Sequence, residues 1–139
     1  MNVEKIDHIG IAVDSIEKWL GFYRDVLGLE YGGSEEVAEQ KVRVAFLKIG
    51  ESNIELLEPT SDDSPIAKFL EKRGGGIHHI AIRVDDIDAA LARHREAGAK
   101  LIDTSPRVGA HDMHIAFIHP KTSGGVLVEL CQKPPDSIK

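Results

Sequence analysis

The spacing of apolar and polar positions changes several times along the chain, and each change marks an element. Residues 8–13 alternate and are rich in β-branched side chains, which predicts a strand. Asp14 and Ser15 then offer oxygens suited to capping a helix, and Ile16, Trp19, Leu20, Tyr23, Val26 and Leu27 recur at helical spacing up to Gly28. Residues 42–49 and 53–57 read as further strands about the turn Gly50-Glu51-Ser52, with a short strand expected near 29–32. Ser64-Pro65 opens a short helix carrying Ile66, Ala67, Phe69 and Leu70, because proline suits the first helical position. Arg73-Gly74-Gly75-Gly76 then makes a flexible hinge. Beyond it the pattern predicts a strand over 79–84, a helix over 86–97 stopped by Gly98, and strands near 100–102, 113–118 and 125–130.

The second half repeats the first. Asp7-His8-Ile9-Gly10-Ile11-Ala12-Val13-Asp14-Ser15-Ile16 lies over His78-His79-Ile80-Ala81-Ile82-Arg83-Val84-Asp85-Asp86-Ile87 at an offset of 71. Ala45-Phe46-Leu47 lies over Ala116-Phe117-Ile118 at the same offset, and Ile54-Glu55-Leu56 over Val128-Glu129-Leu130 at an offset of 74. Matches in one order along both halves mark a duplication, with the small shifts falling in loops. The expected fold is α+β: two tandem βαβββ modules forming a curled antiparallel sheet around a cavity. Residues 1–139 form a single domain in this reading. Module 1 covers 5–60, the short helix and glycine hinge 61–76, and module 2 77–133.

Composition narrows the function. A chain of 139 residues is long enough to bury about two-thirds of its unfolded surface. No apolar run approaches the roughly 18 residues a membrane span needs, and the first residues lack the pattern of a signal peptide. A net charge of −6 with scattered basic residues argues against nucleic acid as a partner. Cys131 is the only cysteine, so no internal disulfide forms, and the cytoplasm is the expected location.

The repeat also selects candidate chemistry. His8 and His79 stand at equivalent places at the start of equivalent strands, and Glu55 and Glu129 at equivalent places in the last strands. Pseudo-two-fold packing turns such residues toward each other. Two imidazoles and two carboxylates suit a divalent transition metal such as Co²⁺, Zn²⁺, Mn²⁺ or Ni²⁺. A glutamate between Ile54 and Leu56, or between Val128 and Leu130, is costly inside unless it is paired or binds metal. His78 is the rival of His79, but it overlies Asp7 and falls out of register. His94, His111 and His114 read as helix-face, loop or strand-edge residues, and Cys131 lacks an identified base partner.

At these residues the sequence resembles the vicinal oxygen chelate superfamily, which includes glyoxalase I and the extradiol dioxygenases. Within it the resemblance is greatest to the methylmalonyl-CoA epimerases. Phe22-Tyr23-Arg24-Asp25-Val26-Leu27-Gly28, Asp63-Ser64-Pro65-Ile66-Ala67 and Gly76-Ile77-His78-His79-Ile80-Ala81 carry it. So do His119-Pro120-Lys121 and Gly124-Gly125-Val126-Leu127-Val128-Glu129-Leu130. The resemblance implies metal ligands at His8, His79 and Glu129, with Glu55 at the fourth position and Co²⁺ as the preferred ion. It implies interconversion of the (R) and (S) forms of methylmalonyl-CoA by proton removal and return at C2, an acyl-CoA substrate, and a homodimer.

Inversion calls for two proton-transfer groups, one on each side of the substrate. Glu129 is the first candidate. Some epimerases carry a second glutamate on the strand that here runs Val42-Arg43-Val44-Ala45, and Val44 occupies that position. Glu55 is the preferred replacement, with Glu39 or a metal-bound water as alternatives. Lys121 is the candidate partner for a CoA phosphate. Rival functions are a glyoxalase I-type lactoylglutathione lyase and a small-molecule binding protein of the same fold without catalysis.

Overall fold

The computed structural model describes residues 2–134, so the outer ends of the expected 1–139 span lie outside the described residues. Both modules appear as expected. The first comprises β1 (Val3–Ala12), α1 (Ile16–Tyr23), β2 (Glu30–Val37), β3 (Val42–Ile49) and β4 (Ser52–Pro59). After α2 (Pro65–Arg73) come β5 (Gly76–Val84), α3 (Ile87–Glu96), β6 (Arg107–Val108), β7 (His114–Ile118) and β8 (Val128–Gln132). Among the described residues no helix is long and apolar enough to cross a membrane. The chain divides into two compact units, residues 8–78 and residues 2–7 with 79–134, so β1 starts in one and ends in the other.

In the unit of residues 8–78 the strands lie in the order β2-β3-β4-β1. The β2/β3 and β3/β4 ladders are antiparallel, but β1 and β4 run parallel, so the expected antiparallel sheet is mixed. The helix between β1 and the three-strand meander lets the last strand return alongside β1 in the same direction. Alternation sends Ala45, Leu47 and Leu56 to one face, where they pack with Val13 and with Ile16 and Leu20 of α1. On the opposite face Val42, Val44, Phe46 and Leu57 are buried as well.

The second unit repeats the plan in the order β5-β8-β7-β6, with β5 and β8 parallel and the other two ladders antiparallel. Ala116, Ile118 and Leu130 pack under Ile87, Ala90 and Leu91 of α3. Ala81, Ile115 and Cys131 form a second cluster, with Met113 and Phe117 against it.

Three elements depart from the sequence reading. Helix α1 ends at Tyr23, and the chain then winds through Leu27 N–H to Phe22 C=O (2.8 Å) and Leu29 N–H to Tyr23 C=O (3.0 Å). Gly28, at φ 87°, turns it into β2, and Val26 and Leu27 are exposed where helical spacing had placed them on the apolar face. The strand expected near 100–102 is only a bridge from Leu101 to Ile118, and Arg107–Val108 supplies the third strand of module 2. β8 begins at Val128 because Gly124 and Gly125, at φ 75° and 98°, hold a turn there.

The last strand of each module also starts a helix. The Glu58 carboxylate accepts the Ile16 N–H at 2.7 Å, and the Gln132 amide oxygen accepts the Ile87 N–H at 2.8 Å. These donors belong to the first helical turn and have no partner within their own helix. Ser15 and Asp86 accept the next ones, at 3.2 Å from Lys18 N–H and 3.0 Å from Ala89 N–H. Gln132→Ala should therefore cost about 1 kcal/mol in urea unfolding, while Gln132→Glu, which copies Glu58, should cost little. Equal losses for both variants would show that Gln132 does not act through this bond.

His78, at the start of β5, packs edge-to-face on Phe69 of α2 with ring centroids 5.0 Å apart, and Arg73 lies over the same Phe69 ring. Burial, and after it the charge of Arg73, push the imidazole down from 6.5 to about 4. With the folded value below the unfolded one, the unfolded chain takes up the proton first. Stability from this group is complete above about pH 6.5 and is lost as pH falls toward 4. Unfolding measured at pH 7 and pH 4.5 should show a smaller acid loss for His78→Gln than for the wild type, by on the order of 2 kcal/mol.

Candidate functional site

Residues two apart on a strand share a face, and this rule builds two equivalent sites. In the parallel β1/β4 ladder Gly10 stands opposite Glu55. His8, two residues before Gly10, becomes the diagonal neighbour of Glu55, and the glycine leaves the space between them open. His8 Nδ1 lies 3.2 Å from Glu55 Oε2. On its other side Glu55 faces Phe46 of β3. In the second unit Ala81 stands opposite Glu129, Phe117 of β7 faces it from the other side, and His79 precedes Ala81 by two residues. His79 Nε2 lies 3.3 Å from Glu129 Oε1, and its ring meets Phe117 edge-to-face at 5.7 Å.

The duplication therefore extends beyond the four named residues. Each glutamate sits between a small residue and a phenylalanine, with a histidine one pleat away. All four side chains are buried, His8 and Glu55 at 7 % exposure and His79 and Glu129 at 5 %. A buried carboxylate needs a partner to offset its lost hydration. An imidazole supplies one when protonated, and a divalent ion supplies a stronger one when both groups act as ligands. The donor chemistry, one nitrogen and one carboxylate in each pair on a dry face, fits a borderline transition-metal ion.

Surrounding groups hold these pairs in place. Asp7, next to His8 and itself buried, accepts from Arg83 Nε at 2.9 Å and Nη2 at 2.5 Å. Behind Glu129, Arg107 lies over the Phe117 ring at 5.6 Å and pairs with Asp103 at 3.3 Å. Asp103 in turn accepts the Phe117 N–H at 2.8 Å. Phe117 is thus fixed through both backbone and ring, and it braces His79.

The other candidates separate clearly. Lys121 sits exposed in the turn after β7, outside both buried pairs, and its N–H donates to His119 Nδ1 at 3.0 Å. Desolvation, followed by the charges of Lys100 and Lys121, holds His119 below the ordinary imidazole value. Glu39 is exposed in the single turn Ala38–Gln40. Val44 is buried on the face that carries Glu55. Cys131 lies on the Glu129 face but packs with Ala81 and Ile115, with its thiol 3.6 Å from the Ile82 carbonyl. His94 bonds the Ala90 carbonyl one helical turn back at 2.7 Å. His111 holds a left-handed φ of 56°, and His114 is paired with Gln132 on β7.

Sequence reasoning missed three charged residues: Asp7 and Arg83, which pair with each other, and Glu35 of β2, which stands opposite Val44 of β3. Each breaks the repeat. Asp7 overlies His78, and Arg83 overlies Ala12. A cleft of about 610 Å³ beside α1 is lined by Ser15, Arg24, Tyr31, Arg43 and Glu58, among others. It lies on the helix face of module 1, away from Glu55. Its arginines are paired with Asp25 and Glu36, and Glu58 is engaged by the helix end.

Comparison with known proteins agrees with this geometry. The profile of the Glyoxalase/Bleomycin resistance protein/Dioxygenase superfamily matches residues 7–117. An uncharacterized protein of Bacillus subtilis, YqjC, is 47% identical over 96% of both chains. An ethylmalonyl-CoA/methylmalonyl-CoA epimerase of Cereibacter sphaeroides is 43% identical over 94% of this chain and 98% of its own. The crystallised methylmalonyl-CoA epimerase in complex with methylmalonyl-CoA and NH4+ is 41% identical, covers 96% of this chain and 97% of its own, and superposes with a TM-score of 0.92. The chain belongs to the Glyoxalase/Bleomycin resistance protein/Dioxygenase superfamily and, within it, to the family of the methylmalonyl-CoA epimerases.

Proposed function

We propose that this chain is an isomerase that interconverts (R)- and (S)-methylmalonyl-CoA at C2, with one divalent ion shared by His8, Glu55, His79 and Glu129. The observation that carries the reading is the pair of equivalent buried histidine–carboxylate sites, in a chain 43% identical to an epimerase. Co²⁺ is the proposed ion, with Zn²⁺, Mn²⁺ and Ni²⁺ as the others the donor set accepts. A homodimer in the cytoplasm and a single domain spanning both modules complete the proposal, drawn from family resemblance and composition.

The bound ion supplies electrostatic stabilisation of the negative charge that develops on the substrate's thioester oxygen. The chain's own residues do the rest. Val42, Val44, Phe46, Ile115 and Phe117 line the sheet faces around the two glutamates with apolar surface, which keeps the local dielectric low. Glu129 carries the C2 proton on one side, since a carboxylate engaged through one oxygen keeps the other for a proton. Glu55 enters as a ligand and, as the mate of Glu129, as the candidate within the ligand set for the second proton. Lys121 neutralises a phosphate of the CoA portion.

Metal-loaded protein should epimerise (S)-methylmalonyl-CoA and exchange the C2 hydrogen with deuterated solvent. Chelation should abolish both, and re-addition of Co²⁺ should restore them. Glu129→Gln with metal retained should lose at least 100-fold in kcat, as expected for a proton-transfer residue. Normal exchange of both the (R) and the (S) isomer by that variant would remove Glu129 from proton transfer. Turnover of methylglyoxal plus glutathione, with none of methylmalonyl-CoA, would assign the site to glyoxalase I chemistry instead. Ligand retention that survives chelation, without turnover, would assign it to binding alone. Lys121→Glu should raise KM several-fold for the CoA ester and leave kcat unchanged.

A further inference from the structure

We infer that Glu35 is the proton-transfer residue contributed by module 1, a deepening that rests on the epimerase reading above. Inversion at C2 needs a second acid–base group besides Glu129, and Val44 cannot serve as one. In the β2/β3 ladder Glu35 stands directly opposite Val44, as Ser34 does opposite Ala45 and Glu36 opposite Arg43. Residues opposite each other across a ladder share a face, so Glu35 lies on the face of Val44 and Phe46, and hence of Glu55. Glu36 lies on the other face, where its carboxylate is 3.6 Å from Arg43.

Burial follows the same alternation. Gly33, Glu35 and Val37 are half-buried, and Ser34 and Glu36 between them are exposed. Glu35 is thus the charged member of the half-buried set on this edge strand. Its repeat mate is Arg107, which stands opposite Ile115 as Glu35 stands opposite Val44. The duplicated frame therefore carries an acid in module 1 and a base in module 2 at one and the same position. The Arg107 guanidinium is occupied by Asp103 and the Phe117 ring, and the charge difference leaves Glu35 as the carboxylate of this position.

Strand spacing places the Glu35 Cα roughly 12 Å from that of Glu55, two strands across and two residues along. Val44 and Phe46 of β3 lie between the two positions on that shared face. Glu35 is not one of the four ligands, so its protonation leaves the metal charge balance unchanged. In one direction the Glu35 carboxylate takes the C2 proton, the C–H electron pair passes into the enolate, and the carboxylic acid of Glu129 returns a proton to the opposite side. In the other direction the roles reverse; each turnover leaves the proton on the opposite carboxylate, and Glu35 and Glu129 return to their starting states by releasing one proton to water and taking one from it.

The test compares Glu35→Gln, Glu35→Asp and Glu55→Gln with the wild type, each with metal content measured. Glu35→Gln should keep its metal and its circular dichroism spectrum. It should also keep solvent exchange at C2 of the isomer whose proton Glu129 removes, while losing inversion by at least 100-fold. Glu35→Asp should recover part of the loss. A metal-loaded Glu35→Gln that inverts substrate within twofold of wild type overturns the assignment of Glu35 alone. So does a Glu55→Gln that keeps its metal and shows the exchange-without-inversion pattern in place of Glu35→Gln. Failure of the wild type to turn over methylmalonyl-CoA overturns the parent reading, and the role of Glu35 falls with it.

Discussion

The constraint on which the rest of this structure depends is the burial of two glutamates. Glu55 and Glu129 are taken out of water at the centre of four-stranded sheets, where an ionised carboxylate without a partner costs several kcal/mol. Everything next to them limits that cost. The residue opposite is glycine or alanine, so a histidine can reach in from one pleat away. The residue on the other side is phenylalanine, whose ring shields the pair from solvent. The pairing distances of 3.2 and 3.3 Å show each carboxylate held by its imidazole. Such an arrangement is a weak source of stability and a strong source of geometry, because a buried ion pair gains little over apolar packing but tolerates few alternative positions.

The parallel ladders matter for the same reason. An antiparallel β1/β4 pair would run the two strands in opposite directions, and the residue one pleat from the small position would then approach the glutamate from the opposite end. The crossover through α1 makes the pair parallel and brings His8, at the strand's entrance, against Glu55. The crossover through α3 does the same for His79 and Glu129. The helices are in turn tied to the strands that carry the glutamates, since Glu58 and Gln132 lie three residues after Glu55 and Glu129 and bond the first helical N–H groups. One strand thus positions the buried glutamate on one face and the helix on the other.

Much of this was legible in the sequence because the duplication states each feature twice. His8, His79, Glu55 and Glu129 stood out through register alone, and ten of the eleven helices and strands were located from period and capping residues. What stayed hidden was whatever the repeat does not duplicate. The parallel direction of β1/β4 has no local signature. Helix α1 stops at Tyr23 although the helical spacing continues, because the following turns keep similar local bonds while rotating Val26 and Leu27 outward. Asp7, Arg83 and Glu35 look like ordinary surface charges until pairing shows which face they occupy. Glu35 in particular sits next to Glu36, and only the ladder register separates the one that turns inward from the one that pairs with Arg43.

These departures from symmetry bear on function. Exact repetition would give both modules the same chemistry, whereas a chiral acyl group with one thioester and one carboxylate presents two different ends. The chain keeps the histidine–glutamate pairs equivalent and varies positions near them. Asp7 overlies His78, and Glu35 overlies Arg107. Each exchange puts an acid on one module where the other has a basic group. The duplication preserves the two buried histidine–glutamate pairs, and the charge differences fall at positions around them.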